Sequence, residues 1–205
     1  DVYRLANPTL NTTDVTLVAR RGDAAPMAAI SVTNASPDSF TEGLKAGFGT
    51  LAGGFSASGA IANLAAQGTD ASSLQIALNT SSAGNVAGSA EVNFASTGAG
   101  TTGAADISVG SQVVSLAGRV YEKAVAQVNT VLVDFGIVHK GDVVAAKNIS
   151  VTNSAPVAAL NDTLQGSFIN MPVGPFGGSG SVSGLAAGQT DASSLLVSLD
   201  TTSAG

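Results

Sequence analysis

A chain of 205 residues with 44% hydrophobic side chains holds enough apolar matter for one or two modest cores and is no disordered polymer. Only 11% of it is charged and 4% aromatic, while Gly, Ala, Ser, Thr, Val and Asn dominate, as in turn-rich exported bacterial β-proteins. A net charge of -6 with singly scattered basic residues gives nucleic acid no footprint, the absence of Cys excludes disulfides and thiolate metal sites, and no apolar run approaches the roughly 20 residues of a membrane helix. The sequence starts at Asp1 without an initiator Met or a signal peptide, so a processed, recombinant or partial chain is expected, with any export signal or anchor outside it.

In chain order, a Val2–Tyr3 pair opens the sequence, and "DVTLVARRGD" leads to a basic-Gly-Asp turn at Arg21–Asp23. "ISVTN" at Ile30–Asn34 alternates apolar and polar positions, the period of a half-buried strand. "GAIANLAAQG" has enough Ala and Leu for one helical turn, although its later counterpart "GSVSGLAAGQ" has the composition of a strand entering a loop. Leu74, Ile76 and Leu78 alternate again, and "SAEVNFAS" and "ISVGSQVVSLAGRV" add two further strands. Then the series restarts. Val120–Tyr121 repeats the opening pair 118 positions on, Ile149–Asn153 repeats "ISVTN" 119 positions on, and "TDASSL" at Thr69–Leu74 returns 121 positions on at Thr190–Leu195, with Leu195, Val197 and Leu199 alternating as before.

The repeat divides the chain into residues 1–119 and 120–205, each expected to be an all-β, Ig-like antiparallel sandwich, since strands and turn signals such as "NSAP" and "STGAGTTG" follow one another closely. The second unit reaches "TTSAG" without counterparts of the last two strands of the first. Its inward residues Val151, Leu195 and Leu199 would each forgo about 1.5–3 kcal/mol of burial, against a domain stability of about 5–15 kcal/mol. The second unit is therefore expected to be completed, by further chain or by strands from a neighbouring subunit.

"VLVDFGIVHKGDVVAAKNISVTNSA" and "GLAAGQTDASSLLVSLDTTSAG" resemble the bacterial choice-of-anchor D family and the related Hydin-type ASH modules, whose domains open with a "V-DFG-V-GD/S" strand and turn, continue through "I-VTNT" and close on "T-AG". The resemblance covers the second unit and, through the repeat, most of the first. It departs where the first unit has "DVTLVARRGD" in place of "DFG", and where Ala and Gln replace the Pro and Ser of "L-PG". It implies tandem Ig-like sandwiches on exported or surface-anchored bacterial proteins, and no catalytic residues.

Site candidates are few. Arg21-Gly22-Asp23 spells an adhesion tripeptide, but Lys140-Gly141-Asp142 at the same point of the repeat favours a shared turn. His139 is the one histidine, too little for a Ser-His-Asp hydrolase or a zinc site. Asp70, Asp191, Asp23 and Asp142 are isolated carboxylates that read as turn caps more readily than as calcium ligands. Glu42 and Asp162 align, and nothing marks either as part of a catalytic pair with other carboxylates. "GPFGGSGSVSG" lacks the Lys-Ser/Thr ending of a phosphate loop. Asn11, Asn34, Asn79, Asn148 and Asn161 head Asn-X-Ser/Thr triplets, and Phe40, Phe48, Phe55, Phe168 and Phe176 suit packing better than a sugar platform. No catalytic, cofactor or metal residue is expected. The functional expectation is a non-catalytic extracellular repeat of a surface or filament protein, self-associating or stacking on neighbouring repeats, with an adhesive or glycan-binding module, calcium-assisted or not, as the alternative.

Overall fold

The computed structural model describes residues 2–170 and 174–204. They form fifteen strands and no helix. In the first unit these are β1 (Pro8–Leu10), β2 (Asp14–Arg20), β3 (Met27–Asn34), β4 (Gly43–Ala52), β5 (Phe55–Ser58), β6 (Ala60–Leu64), β7 (Thr69–Leu78), β8 (Gly84–Thr97) and β9 (Ile107–Tyr121). In the second they are β10 (Ala126–Val128), β11 (Lys147–Asn153), β12 (Leu164–Ser167), β13 (Phe176–Ser179), β14 (Ser181–Leu185) and β15 (Thr190–Leu199). The chain divides between Val120 and Tyr121.

Unit 1 is a two-sheet Ig-like sandwich with strand orders β1-β3-β7-β5 and β2-β9-β8-β4-β6. Alternation drives it. Ile30 and Val32 of β3, Leu74, Ile76 and Leu78 of β7, and Ala90, Val92 and Phe94 of β8 all point inward and are shielded from water. Val114 and Leu116 of β9, with Val15 and Leu17 of β2, complete the core. The segment with helix-like composition, "GAIANLAAQG", is strand β6 followed by a turn, because Ile61 is buried in the sandwich and tertiary burial outweighs a weak helical propensity.

The chain changes sheet between β5, which pairs with β7, and β6, which pairs with β4. Gly59 makes the corner at φ 93°, and a β-carbon there would run into the Ser73 carbonyl. Unit 2 turns the same corner between β13 and β14 with Gly180, φ 88°, against the Ser194 carbonyl.

Unit 2 reproduces one sheet, β10-β11-β15-β13, but the other consists of β12 and β14 alone. Its buried apolar cluster is Val151, Val182 and Leu195. The "VLVDFGIV" segment, expected as the opening strand of the family pattern, carries no strand. Its counterpart in unit 1, β2, is a strand because β9 lies beside it. Without such a neighbour a lone extended segment has no ladder to join.

Candidate functional site

The repeated polar motifs are spent on backbone. Where β3 advances from Ile30 to Val32, its partner β7 runs from Leu74 to Asp70, so the register slips and β7 bulges. The Asp70 carboxylate accepts hydrogen bonds from the Ser72 amide (3.0 Å), the Ser73 amide (2.8 Å) and the Ser73 hydroxyl (2.7 Å). Asp191 holds the equivalent bulge of β15 through Ser193 and Ser194 at 3.0, 2.8 and 2.7 Å. Bonds to the ionised form, the serine hydroxyl foremost, hold both carboxyls below their ordinary value. "TDASSL" is therefore a bulge anchor. Its carboxylate is already engaged by its own loop.

The last residue of "ISVTN" is a second such device. Asn34 is wholly buried; its side-chain oxygen accepts from the Asn7 amide at 3.0 Å, and its nitrogen donates to the carbonyls of Glu42 and Leu64. Asn153 accepts from the Val125 amide at 3.0 Å and donates to the Leu185 carbonyl at 3.0 Å. Each asparagine ties the strand on which it sits to the entering chain and to the end of β6 or β14.

The other candidates fall on turns and surfaces. In the Arg21–Asp23 turn, Gly22 has φ 75°, its amide donates to the Thr80 carbonyl, and the Thr80 hydroxyl donates to the Asp23 carbonyl. Gly141, Thr201 and Asp142 repeat that pattern. His139 is exposed, with Nδ1 3.4 Å from Asp142 and its own amide donating to the same carboxylate. Of the Asn-X-Ser/Thr asparagines, Asn34 is inaccessible, Asn11 binds the Ser31 and Thr33 hydroxyls, and Asn79 and Asn161 accept from the Ser81 and Ala158 amides, while Asn148 is exposed on β11. Phe55 is buried and Phe48 and Phe168 are half-buried; exposed Phe40 leans on Tyr3 at 5.8 Å.

Glu42, singled out in the sequence only for its alignment with Asp162, is buried. Glu42 accepts from the Ser96 hydroxyl at 2.8 Å and from the Thr102 hydroxyl at 2.5 Å, and the Ser96 oxygen accepts from the Ala6 amide. With the hydroxyl of Ser96 engaged as donor and as acceptor, the cluster ties β8 to the residue entering β4 and presents no nucleophile. Its partners lie far along the chain, so local spacing carried no signal of it. The half-buried Asp162 takes the corresponding place in unit 2. Among the described residues, no three His, Asp or Glu side chains gather as a metal-holding group.

Unit 2 contains an open groove of about 910 Å³ lined by Val133, Phe135, Phe176, Leu199, His139 and Asp200, among others. Its aromatic floor is the Phe135–Phe176 pair, 6.1 Å between centroids, with the Lys147 ammonium 5.5 Å from the Phe135 ring. Lys147 also donates to the Asp134 carbonyl.

These features define a tandem antiparallel β-sandwich whose repeated polar motifs act on its own backbone. No family model matches the chain. No curated protein matches it either. Among solved structures, it is similar to the ASH/PapD-like domain of human CEP192 (PapD-like domain 7), at 11% identity and a TM-score of 0.42 over 58% of this chain and 87% of that one. The fold assignment rests on the strand pairing within the chain itself.

Proposed function

We propose that this chain is a non-catalytic structural stretch of an exported bacterial surface or filament protein, built from successive sandwiches of the choice-of-anchor D kind. The observation that supports this reading most is the duplication of backbone devices. Asn34 and Asn153, Asp70 and Asp191, and Gly59 and Gly180 recur at equivalent places in both units and engage equivalent backbone, save that only Asn34 is shown donating to the chain entering β4. What the repeat keeps is the set of groups that hold strands in place, whereas a repeated active site would keep groups aimed at solvent. The low charge and the all-strand architecture of the described residues agree with a module whose role is to extend and connect.

The test is surface labelling of the source cells with an antibody against unit 1. Intact, unpermeabilised cells should label as strongly as permeabilised ones. Labelling that appears only after lysis would remove the surface role.

A further inference from the structure

We propose that Asn79, which heads the triplet Asn79-Thr80-Ser81, is the acceptor of an N-linked glycan delivered from a lipid-diphosphate-linked oligosaccharide. The inference rests on the exported reading in one respect: an exported chain is one that meets such a donor. In the transfer, the Asn79 side-chain nitrogen bonds to C1 of the first sugar as the bond from C1 to the diphosphate oxygen breaks. The lipid diphosphate leaves with the electron pair, and the amide gives one proton to a base of the transferase.

Five asparagines head such triplets, and the structure separates them by what their amide nitrogens already hold. Asn34 is wholly buried, with its nitrogen on the Glu42 and Leu64 carbonyls. The Asn11 nitrogen donates to the hydroxyls of Ser31 at 3.1 Å and Thr33 at 2.8 Å, and the Asn161 nitrogen to the Pro156 carbonyl at 2.9 Å. A transferase would have to break those bonds to reach the nitrogen. Asn148 is exposed, but it pairs with Leu196 inside β11, a strand with neighbours on both sides. The Ser150 of its triplet is also engaged, its amide donating to the Thr130 hydroxyl and its own hydroxyl accepting from Asn129. Drawing that triplet into another protein's cleft means unzipping the sheet.

Asn79 meets none of these obstacles. It is exposed in the connection between β7 and β8, outside any ladder. Its side-chain oxygen accepts from the Ser81 amide at 2.9 Å, which fixes the carboxamide by the oxygen and leaves the nitrogen uncommitted among the described bonds. The middle residue carries the anchoring. Thr80 is buried, its hydroxyl donates to the Asp23 carbonyl at 2.7 Å, and its carbonyl accepts from the Gly22 amide at 2.9 Å. Ser81 is exposed, so the hydroxyl that completes the recognition triplet stands beside the acceptor.

Unit 2 shows that the turn does not need the amide nitrogen. Asp200 holds the equivalent place and accepts from the Thr202 amide at 2.9 Å, while Thr201 repeats the bonds of Thr80 to Asp142 and Gly141. The same turn folds with a carboxylate, which has no nitrogen to glycosylate. The glycan therefore marks unit 1 alone, beside its Arg21–Asp23 turn.

The test purifies the full chain from its source cells and reads the peptide holding Asn79 by mass spectrometry, before and after enzymatic release of glycans. That peptide should carry the added mass of an oligosaccharide, and release should leave aspartate at position 79. The peptides holding Asn11, Asn34, Asn148 and Asn161 should be unmodified. Asn79→Asp, the residue that unit 2 uses in this turn, should abolish the added mass and leave the fold intact. Ser81→Ala should abolish it as well, and Ser81→Thr should keep it. An unmodified Asn79 on a chain that labels at the cell surface would overturn this proposal and leave the surface reading standing. A glycan on Asn79 of a chain that labels only after lysis would do the reverse, and a chain with neither would overturn both. Added mass that survives Asn79→Asp, or that lies on one of the other four asparagines, would also overturn the assignment.

Discussion

Leu74 and Leu195 occupy the same place in the same hexapeptide, yet they sit in different surroundings. Leu74 is closed in by both sheets of unit 1, whereas Leu195 shares a buried cluster with only Val151 and Val182. The backbone around them is nearly superposable in its bonding, down to the Asp-anchored bulge. Local chain geometry is therefore set within a single sheet, and the depth of the core by the sheet opposite. If so, Leu74→Ala should cost unit 1 about 3–5 kcal/mol, and Leu195→Ala, buried in a far smaller cluster, should cost unit 2 nearer ~2 kcal/mol, since sparser surroundings collapse more easily into the space left. Urea titration read by peptide-resolved amide exchange separates the two units. Equal costs would erase the distinction.

The buried asparagines sharpen the comparison from the other side. Asn34→Ala orphans the Asn7 amide and the carbonyls of Glu42 and Leu64, and Asn153→Ala orphans the Val125 amide and the Leu185 carbonyl. Each substitution should cost about 1–3 kcal/mol, with similar values in both units because the partners belong to elements that both possess. A unit 2 effect far below that of unit 1 would show that Asn153 lies open to water and that the equivalence is only geometric.

Most of this could be read from sequence where the signal is periodic and local. "KNISVTN" announces β11 to the residue, and "SAEVNFAS" and "ISVGSQVVSLAGRV" fall within β8 and β9. Long-range features were hidden. The Glu42 cluster draws on Ser96 and Thr102, and Asn34 on Asn7 and Leu64, pairings that exist only once the strands are stacked. The "VLVDFGIV" segment has the alternation of a strand, but pairing is a property of two segments and pattern a property of one. The Asp of "TDASSL" was legible as a cap, though not as the anchor of a bulge, because the bulge is defined by the register of the facing strand.

Acid should treat the two units alike. Asp70 and Asp191 are both held below their ordinary carboxyl value, chiefly by the hydroxyls of Ser73 and Ser194. A depressed folded value means that the stabilisation is fully present above the unfolded value, 3.8, and is lost as pH falls through the lower folded one. Both bulges should loosen in that acid window, and Asp70→Ala should remove the contribution of unit 1 while leaving that of unit 2. Amide exchange at Ser72, Ser73, Ser193 and Ser194 between pH 5 and pH 2, corrected for intrinsic rates, is the measurement. Loosening in one unit alone would break the equivalence.

The smallest expected effect concerns a turn in which the units carry Gln and Gly in opposite order, Gln67-Gly68 in one and Gly188-Gln189 in the other. Gln67, with φ 62°, donates its amide to the Asn34 carbonyl, and Gly188, with φ 75°, does the same for Asn153. The left-handed backbone costs a side chain about 1–2 kcal/mol that glycine avoids, and glycine gives back about 0.5–1 kcal/mol through the greater freedom of the unfolded chain. Gln67→Gly also surrenders the exposed bond from the Gln67 side chain to the Pro37 carbonyl at 3.1 Å. The net gain for unit 1 should therefore be small, about 0.5 kcal/mol. The reciprocal Gly188→Gln should cost unit 2 more than that, because the new β-carbon would stand 3.1 Å from a Val157 methyl. Paired thermal melts of the two variants decide the matter: effects of opposite sign, with the unit 2 loss the larger, follow from a turn whose backbone is fixed by the asparagine it serves. Two losses would mean that the Gln67 side chain contributes more to this turn than its backbone strain costs.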